Sequence, residues 1–454
     1  MINNQTKEMK TVIYLVQILA ICLLTGCRGC QKNDVINNTN TVIAPPTEDA
    51  VSPKVNVYIE NSGSMDGYMD GDTDFKNVIS YLLVQLDLYY DNNVNIRFIN
   101  SKIDSTTITR VDLGSFANVI NVLWDESKRK GRGDTDLDNI FNNILSQTNE
   151  NTITILFSDC IYSMKQGVDG TRYFQKNATI YTFNNKLKDT SLNLTTTIVK
   201  MSSKFKGRYF PYTGDNQNFR IDMERPYYIC VIANQTLMNN FIKKPKLQFE
   251  NLQGYKNKYV ISPEDTRGIY YSVLQSTYNK GRFKPDRRRS TNDYIHGIES
   301  VNLHTSGGGC TRGKEYPLSF AVAVNFSNIQ AENDYFTNPE NYTITTDNFT
   351  IDSIIPIVKN QIKPNDWNRI AAANPTHIII LTAKTKAVSN ISFVLKKQIP
   401  QWIENSSTEN DTSGMLNEST TFGLKYLVEG ITEAYETIYP NNKNFFECTI
   451  SISK

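Results

Sequence analysis

Three short polar clusters along the chain contain residue types that can bind a metal ion. Glu60, Ser62 and Ser64 form the first cluster, Thr135 belongs to the second, and Asp159 marks the third. Hydroxyls and carboxylates offer hard oxygen ligands, which Mg²⁺ binds in octahedral geometry while it keeps some of its waters. If the fold brings these five residues together, they predict a divalent-cation site for Mg²⁺, with Ca²⁺ and Mn²⁺ as alternatives.

Two of the clusters follow predicted strands, and the remaining one, with Thr135, lies in the loop before a predicted helix over 136–145. Residues 54–60 (KVNVYIE) predict a strand that ends at the first cluster. Residues 152–158 (TITILFS) form a continuous apolar run, typical of a strand buried on both faces, and end at Asp159. Because strands alternate with helical patterns over 54–245, we predict an α/β fold with a doubly wound, mostly parallel sheet. Ligands bind at the carboxyl ends of strands in such sheets, so the clusters are expected at one edge.

The same residues resemble the metal-ion-dependent adhesion site of the von Willebrand factor type A (vWA) domain. The family motif is Asp-x-Ser-x-Ser after the first strand, a Thr in a later loop and an Asp after a later apolar strand. Ser62 and Ser64 match the serines, Thr135 in GDTD matches the threonine, and Asp159 in ILFSDC matches the distal aspartate. The resemblance implies a vWA/Rossmann-like domain over 54–245, metal binding by the hydroxyls, and carboxylates that act directly or through water. It also implies a protein partner whose acidic side chain completes the coordination of the metal.

One position departs from the family motif. Glu60 stands where the family has Asp, and the extra methylene moves the carboxylate by about one carbon–carbon bond, ~1.5 Å. Mg²⁺ is strict about geometry, whereas Ca²⁺ tolerates more variation. A working metal site and a degenerate site that persists only as fold architecture therefore both remain open.

The N-terminus has the features of a bacterial lipoprotein signal. Lys7 and Lys10 precede an apolar run over 11–24, which is shorter than the ~20 residues that span a bilayer. The sequence LTGC follows at once and resembles a lipobox, in which the cysteine is acylated and becomes the new N-terminus. Cys27 is therefore the predicted lipidation site.

The predicted cleavage before Cys27 divides residues 1–53 into a signal peptide and a tether. We expect a signal peptide over 1–26 and a lipidated flexible tether over 27–53, whose sequence is polar and rich in asparagine. The predicted location is the bacterial cell envelope, with the N-terminal lipid in the membrane. No acidic run follows the lipidated cysteine, which favours the outer membrane and the periplasmic side. Exposure at the cell surface is the alternative.

The remainder of the chain, 246–454, predicts a β-rich domain. Residues 318–325 and 342–351 alternate between apolar and polar side chains as half-buried strands do, and Gly, Pro, Asn and Asp turns separate such segments. This pattern favours a sandwich-like arrangement of sheets. Residues 421–439 break it with one long amphipathic helix, which we expect to pack on a sheet or on the first domain.

Composition narrows the possible functions. The 454-residue chain carries 48 basic and 46 acidic residues, a net charge of +2, which argues against a nucleic-acid partner. It has three histidines and no evident Ser/His/Asp order or nucleophile elbow, so we expect no catalytic residues and no enzyme activity. The favoured hypothesis is a lipoprotein whose vWA-like domain mediates divalent-metal-dependent protein binding or adhesion. The alternatives are a structural subunit of an envelope complex with a degenerate metal site, and a metal-dependent envelope hydrolase.

Overall fold

A seven-stranded sheet underlies two of the three polar clusters. The computed structural model describes residues 52–91, 93–100, 102–108, 116–129, 136–161, 172–212, 218–263, 268–303, 317–387 and 389–453. The strands of this sheet, in the spatial order β3-β2-β1-β4-β6-β5-β7, are β1 (Lys54–Glu60), β2 (Val94–Ile99), β3 (Ile103–Ile108), β4 (Thr152–Ser158), β5 (Leu194–Tyr209), β6 (Phe219–Asn234) and β7 (Tyr255–Ile261).

The sheet is mixed, which corrects the prediction of a mostly parallel sheet. β1 runs parallel to β2 and to β4, whereas β3, β6, β5 and β7 join through antiparallel pairings. β5 and β6 are each 16 residues long and pair from Leu194 opposite Asn234 to Tyr209 opposite Phe219. A short connection between neighbouring strands permits only antiparallel pairing, because a parallel pair needs a crossover of a dozen or more residues.

Helices cover both faces of this sheet, as an α/β fold requires. Along β1, Val57 and Ile59 contribute to the core on one face, while Tyr58 contributes to the core on the other. The first face is covered by α1 (Asp74–Tyr90), α2 (Phe116–Arg129) and α5 (Gln235–Ile242), and the second by α3 (Leu137–Ser146), α4 (Arg172–Leu187) and α9 (Leu424–Ile438).

Helix α9 comes from the C-terminal part of the chain and packs on the sheet, so that prediction is confirmed. Leu427 and Ile431 lie in the same core as the α3 side chains. Gly430 allows α9 to approach α4 closely, since a Cβ atom there would lie 2.8 Å from Thr179 Cβ and 2.9 Å from the Lys176 carbonyl oxygen. The first and last parts of the chain therefore share one hydrophobic core.

The rest of the C-terminal part is β-rich, as predicted. A five-stranded sheet, β12-β15-β18-β10-β9, and a four-stranded sheet, β13-β14-β11-β8, contribute to a common core. The elements are β8 (Tyr271–Leu274), β9 (Arg282–Pro285), β10 (Gly297–Asn302), β11 (Ser319–Val324), α6 (Asn333–Thr337), β12 (Tyr342–Ile344), β13 (Phe349–Pro356), α7 (Pro364–Ile370), β14 (His377–Ala383), β15 (Ile391–Lys396), α8 (Gln401–Asn405), β16 (Ser407–Thr408), β17 (Thr421–Phe422) and β18 (Asn444–Ile452).

The predicted membrane-associated segments lie outside this description. The signal peptide over 1–26, the lipidation site Cys27 and the tether up to residue 51 are among the residues that the structure does not describe. Within the described ranges, no helix is both long enough and apolar enough to cross a membrane.

Candidate functional site

The candidate site lies where the strand order of the seven-stranded sheet reverses. The chain leaves β1, adds β2 and β3 on one side, and returns to place β4 on the other side of β1. Because β1 and β4 are parallel, their carboxyl ends lie at the same edge. Ligands of α/β sheets bind at such a reversal. Glu60 is the last residue of β1, and Asp159 follows β4 directly.

A 3₁₀ helix that packs closely on the sheet follows β1; Ser64 lies in it and Ser62 precedes it. This helix spans Gly63–Tyr68, with Ser62 in extended conformation at its start. Gly67 lies against the Phe205 ring of β5, since a Cβ atom at Gly67 would lie 2.4 Å from that ring. The absence of a side chain at residue 67 therefore lets residues 62–68, which we call the serine segment, pack directly on β5.

The two serines face each other, and Ser64 also faces the distal aspartate. The hydroxyl oxygens of Ser62 and Ser64 are 2.8 Å apart. The Ser64 hydroxyl also lies close enough to Asp159 to lower the pKa of its carboxyl group. Ser62 and Asp159 are 4% and 2% exposed, whereas Ser64 is half-buried. Three of the five predicted ligands thus converge, and Ser64 is the member nearest to solvent.

The two carboxylate oxygens of Asp159 differ in their hydrogen bonds. Oδ1 accepts a hydrogen bond from the Ile161 backbone N–H at 3.0 Å, whereas Oδ2 is buried and has no hydrogen-bond partner among the residues that the structure describes. Burial raises the pKa of Asp159, and the Ser64 hydroxyl, the Ile161 N–H and the Arg225 guanidinium oppose that rise. A buried acceptor oxygen without a partner is costly, and a cation would satisfy it.

Glu60 connects the ends of β1 and β4. Its side chain is fully buried, and the Ser158 hydroxyl donates to its Oε2 at 2.5 Å. The Ser158 oxygen in turn accepts from the Cys160 backbone N–H at 2.8 Å. The buried carboxylate of Glu60 therefore links the ends of the two strands through Ser158.

Cys160 gives the turn after β4 a shape that sequence reasoning missed. Its φ angle is 52°, in the left-handed region that non-glycine residues adopt rarely and at a cost of roughly 1–2 kcal/mol. Hydrogen bonds at the N–H of Cys160 and of Ile161 hold the turn on both sides of the residue. Such conformations occur preferentially at functional sites. A cysteine at this position gives no signal of it in the sequence.

The fifth predicted ligand lies outside the described ranges, and a nearby aspartate, Asp66, has another role. Thr135, the predicted ligand from the loop before α3, is among the residues that the structure does not describe. Asp66 accepts a hydrogen bond from Trp124 Nε1 at 2.9 Å and forms an ion pair with Lys128 at 2.7 Å. Asp66 therefore fastens the serine segment to α2.

A segment from the C-terminal part, residues 406–423, packs beside the site, and we call it the covering segment. Ile161 lies in one apolar cluster with Tyr209 and with Phe422 of this segment. Arg225, which is 2% exposed, donates to the Asn417 carbonyl oxygen, and the Tyr209 hydroxyl donates to Asp411 Oδ2 at 3.1 Å. No sequence pattern links residues that are about 200 positions apart, so this neighbour was not predicted.

Arg225 changes the electrostatics of the site. Its guanidinium lowers the pKa of the Asp159 carboxyl group, so a fixed positive charge already acts on the candidate metal ligand. A divalent cation would have to bind beside this charge, which weakens its binding. The same charge also compensates part of the cost of burying Asp159 when no cation is bound.

The donor set determines what kind of metal binding is chemically reasonable. Among the described residues, no group of three or more His, Cys, Asp or Glu side chains is placed to hold a metal ion. A cation at this site would depend on the hydroxyls of Ser62 and Ser64, on Asp159, on water and on an external carboxylate. Hard oxygen donors of this kind suit Mg²⁺, Mn²⁺ or Ca²⁺ and do not suit thiophilic metals. Comparison with protein-family models, with curated proteins and with solved structures finds no match for this chain.

Proposed function

We propose that this protein is a lipid-anchored protein of the bacterial cell envelope that binds an acidic protein partner through a divalent cation. The proposal is supported chiefly by the convergence of Ser62, Ser64 and Asp159 at the reversal point of the sheet, with a buried Asp159 oxygen that has no hydrogen-bond partner within the described ranges. The lipoprotein signal at Cys27 supports the location.

Each residue would have a distinct role in this site. The hydroxyls of Ser62 and Ser64 and Oδ2 of Asp159 would hold the cation, with Thr135 as a further ligand. Glu60 would support the site through its hydrogen bond with Ser158. The bound cation, Mg²⁺ in the first place, would supply the positive charge that attracts a partner's carboxylate. Because Ser64 is more exposed than Glu60, Ser62 and Asp159, the partner would approach from its side.

Calorimetric titration of the full chain with Mg²⁺, Mn²⁺ and Ca²⁺ tests the metal site. We expect saturable binding of at least one of these ions and a loss of about tenfold or more in affinity for Asp159→Asn. Asp189→Asn is the matched control, because Asp189 is exposed and precedes β5, at the opposite edge of the sheet. Absence of binding by all three ions, or equal binding by both variants, would refute the proposal.

The partner is tested by capture from envelope extracts. The wild-type chain should retain a partner that EDTA releases and added Mg²⁺ restores, and Asp159→Asn should retain less of it. Blocking carboxyl groups of the extract by amidation should abolish capture, since the partner is proposed to supply an acidic side chain. Incorporation of labelled palmitate into the wild-type chain but not into Cys27→Ala tests the anchor separately.

A second candidate function is supported by a specific observation. The Arg225 guanidinium already acts on Asp159, and the Ser158 hydroxyl already occupies one oxygen of Glu60. A structural subunit of an envelope complex, with this edge held by internal contacts and without metal, is therefore the alternative. It predicts partner capture that is unaffected by EDTA and by Asp159→Asn.

A further inference from the structure

A cavity of about 930 Å³ opens in the C-terminal part of the protein, distant in sequence from the serine segment. It lies between the residues that follow α9, the start of β18, and the strand β8 with the turn before β10. This volume is within the range of small-molecule binding sites, roughly 300–1,000 Å³. The size alone does not indicate the ligand, but the chemistry of the walls does.

Aromatic rings dominate one wall of the cavity. His296 is stacked between Tyr271 and Tyr294, with ring centroids 4.0 Å and 4.1 Å from its own and interplanar angles of 16° and 24°. Two rings at such distances must lie on opposite faces of the imidazole. The backbone fixes the stack, because His296 Nε2 lies 3.0 Å from the Tyr271 carbonyl oxygen. Tyr439 and Phe446 contribute further rings to the lining.

Tyr294 forms one end of this stack and lines the cavity. The only ring contact that it makes among the described aromatic residues is with His296, and it is half-buried. Tyr271, at the other end, is enclosed by Phe446 at 5.9 Å. Tyr294 therefore has one ring face stacked on His296 and a second face without a ring contact among the described residues, at a half-buried position of the cavity lining.

The described lining of the cavity also contains polar side chains, of which few are charged. Asn441 and Glu447 are exposed and line the cavity. Their amide and carboxylate groups offer both donors and acceptors. Among the described lining residues, Glu447 is the only charged side chain, and there is no lysine or arginine. Within the described lining, no cation is placed to hold a phosphate or a carboxylate, and the polar groups of Asn441 and Glu447 beside the aromatic rings suit an amphipathic ligand better than a lipid chain.

We infer that this cavity binds a neutral carbohydrate. A pyranose ring has a face of C–H groups that packs on an aromatic ring, and a rim of hydroxyls that exchange hydrogen bonds with amides and carboxylates. The outer face of Tyr294 fits the first requirement, and Asn441 and Glu447 fit the second. The inference does not rest on the metal site, since none of the lining residues belongs to it.

The test is saturation-transfer NMR on the full chain with a panel of sugars. The panel contains glucose, galactose, mannose, N-acetylglucosamine, maltose, cellobiose, lactose, chitobiose and, as an anionic member, glucuronate. The chain is purified in a polyoxyethylene detergent, because glucoside and maltoside detergents carry sugar head groups that would compete. We expect binding of at least one neutral sugar, weaker binding of glucuronate, and no effect of EDTA.

Substitutions locate the binding. Tyr294→Ala should weaken binding by about tenfold, and Tyr294→Phe, which keeps the ring, should retain most of it. Tyr181→Ala is the control, because Tyr181 is 69% exposed on α4 and lies outside the cavity. Asn441→Ala provides a second test at an exposed residue, and we expect severalfold weaker binding. No binding of any neutral sugar, or binding that neither Tyr294→Ala nor Asn441→Ala weakens, overturns the inference, as does stronger binding of glucuronate.

Discussion

Replacing Lys200 with methionine is expected to change how the stability of the protein depends on pH. Lys200 lies on β5, is 8% exposed, and donates to Ser406 Oγ and to the Ser419 carbonyl oxygen, each at 2.7 Å. It thereby holds both ends of the covering segment. Burial, with smaller contributions from the charges of Lys256 and Arg225, lowers its pKa from 10.5 to about 8.

The sign of the effect follows from proton linkage. Between pH 8 and pH 10.5 the unfolded chain keeps a proton on Lys200 that the folded chain has released, so stability rises with pH in this window. The lowered pKa corresponds to a gain of about 2.5 kcal/mol between pH 7 and pH 10. Lys200→Met has no titrating group at this position and lacks the gain.

Urea denaturation of both proteins at pH 7, 8, 9 and 10 measures this difference. The free energy of unfolding of the wild type, minus that of Lys200→Met, should increase steadily above pH 8. Lys204→Met is the matched control on the same strand, because Lys204 is exposed, and its effect should stay within about 0.5 kcal/mol at every pH. A wild-type-minus-variant difference that is constant from pH 7 to pH 10 would refute the assignment of a buried, charge-disfavouring environment to Lys200.

Two further predictions concern packing and buried hydrogen bonds. Gly430→Ala should destabilise the protein by roughly 1–3 kcal/mol in thermal or urea unfolding, because the new Cβ atom would lie less than 3 Å from Thr179 and from a backbone carbonyl oxygen. Gly414→Ala is the control: its Cβ atom would have no neighbour within 4 Å, so stability should change by less than about 0.5 kcal/mol. Asp366→Ala should destabilise the protein by roughly 2–5 kcal/mol. The Asp366 carboxylate is 3% exposed and accepts hydrogen bonds from the backbone N–H groups of residues 275 and 276 and from the Thr277 hydroxyl. A free energy of unfolding equal to that of the wild type would show that these hydrogen bonds do not stabilise the fold.

The strands and helices with strong local patterns were predictable from the sequence. β1, β4 and α1 have the bounds that their apolar patterns indicate, 54–60, 152–158 and 74–90. In these segments the burial that drives folding is recorded in the residue types themselves. The meeting of Ser62, Ser64 and Asp159 was also predictable, because strand direction and the rule for parallel sheets fix the edge at which loops gather.

The antiparallel half of the sheet was harder to predict. The outer part of β6, residues 219–224, alternates between partly buried apolar positions and the exposed Arg220, Asp222 and Glu224, so its period of two is present in the sequence but does not indicate which strand it pairs with. The long β5–β6 hairpin that results explains why the sheet is mixed. Contacts such as Arg225 with Asn417 join residues 192 positions apart, and local sequence patterns contain no information about such pairs.

Glu60 stands where the vWA motif that this segment resembles has Asp, and the length of its side chain has a structural role that can be tested. The longer side chain allows the carboxylate to reach from the end of β1 to the Ser158 hydroxyl at the end of β4. Glu60→Asp withdraws the carboxylate by ~1.5 Å, which should break this hydrogen bond and leave Ser158 without an acceptor in a buried site. We therefore expect a loss of roughly 1–3 kcal/mol in unfolding free energy and weaker metal binding, since the turn that holds Asp159 depends on Ser158 through Cys160.

The opposite outcome would assign Glu60 a different role. If Glu60 is an ill-fitting direct ligand, Glu60→Asp restores the family motif, and Mg²⁺ should bind more tightly with stability little changed. Glu150→Asp, at an exposed turn residue, controls for the general effect of shortening a side chain. The two measurements must be made together, because a supporting carboxylate loses stability and metal affinity in parallel, whereas a direct ligand trades one against the other. The two effects are coupled because Glu60 supports the turn at Asp159 only through the hydrogen bonds of Ser158 and Cys160. A shorter side chain at residue 60 can therefore strengthen metal binding only if its carboxylate contacts the cation itself.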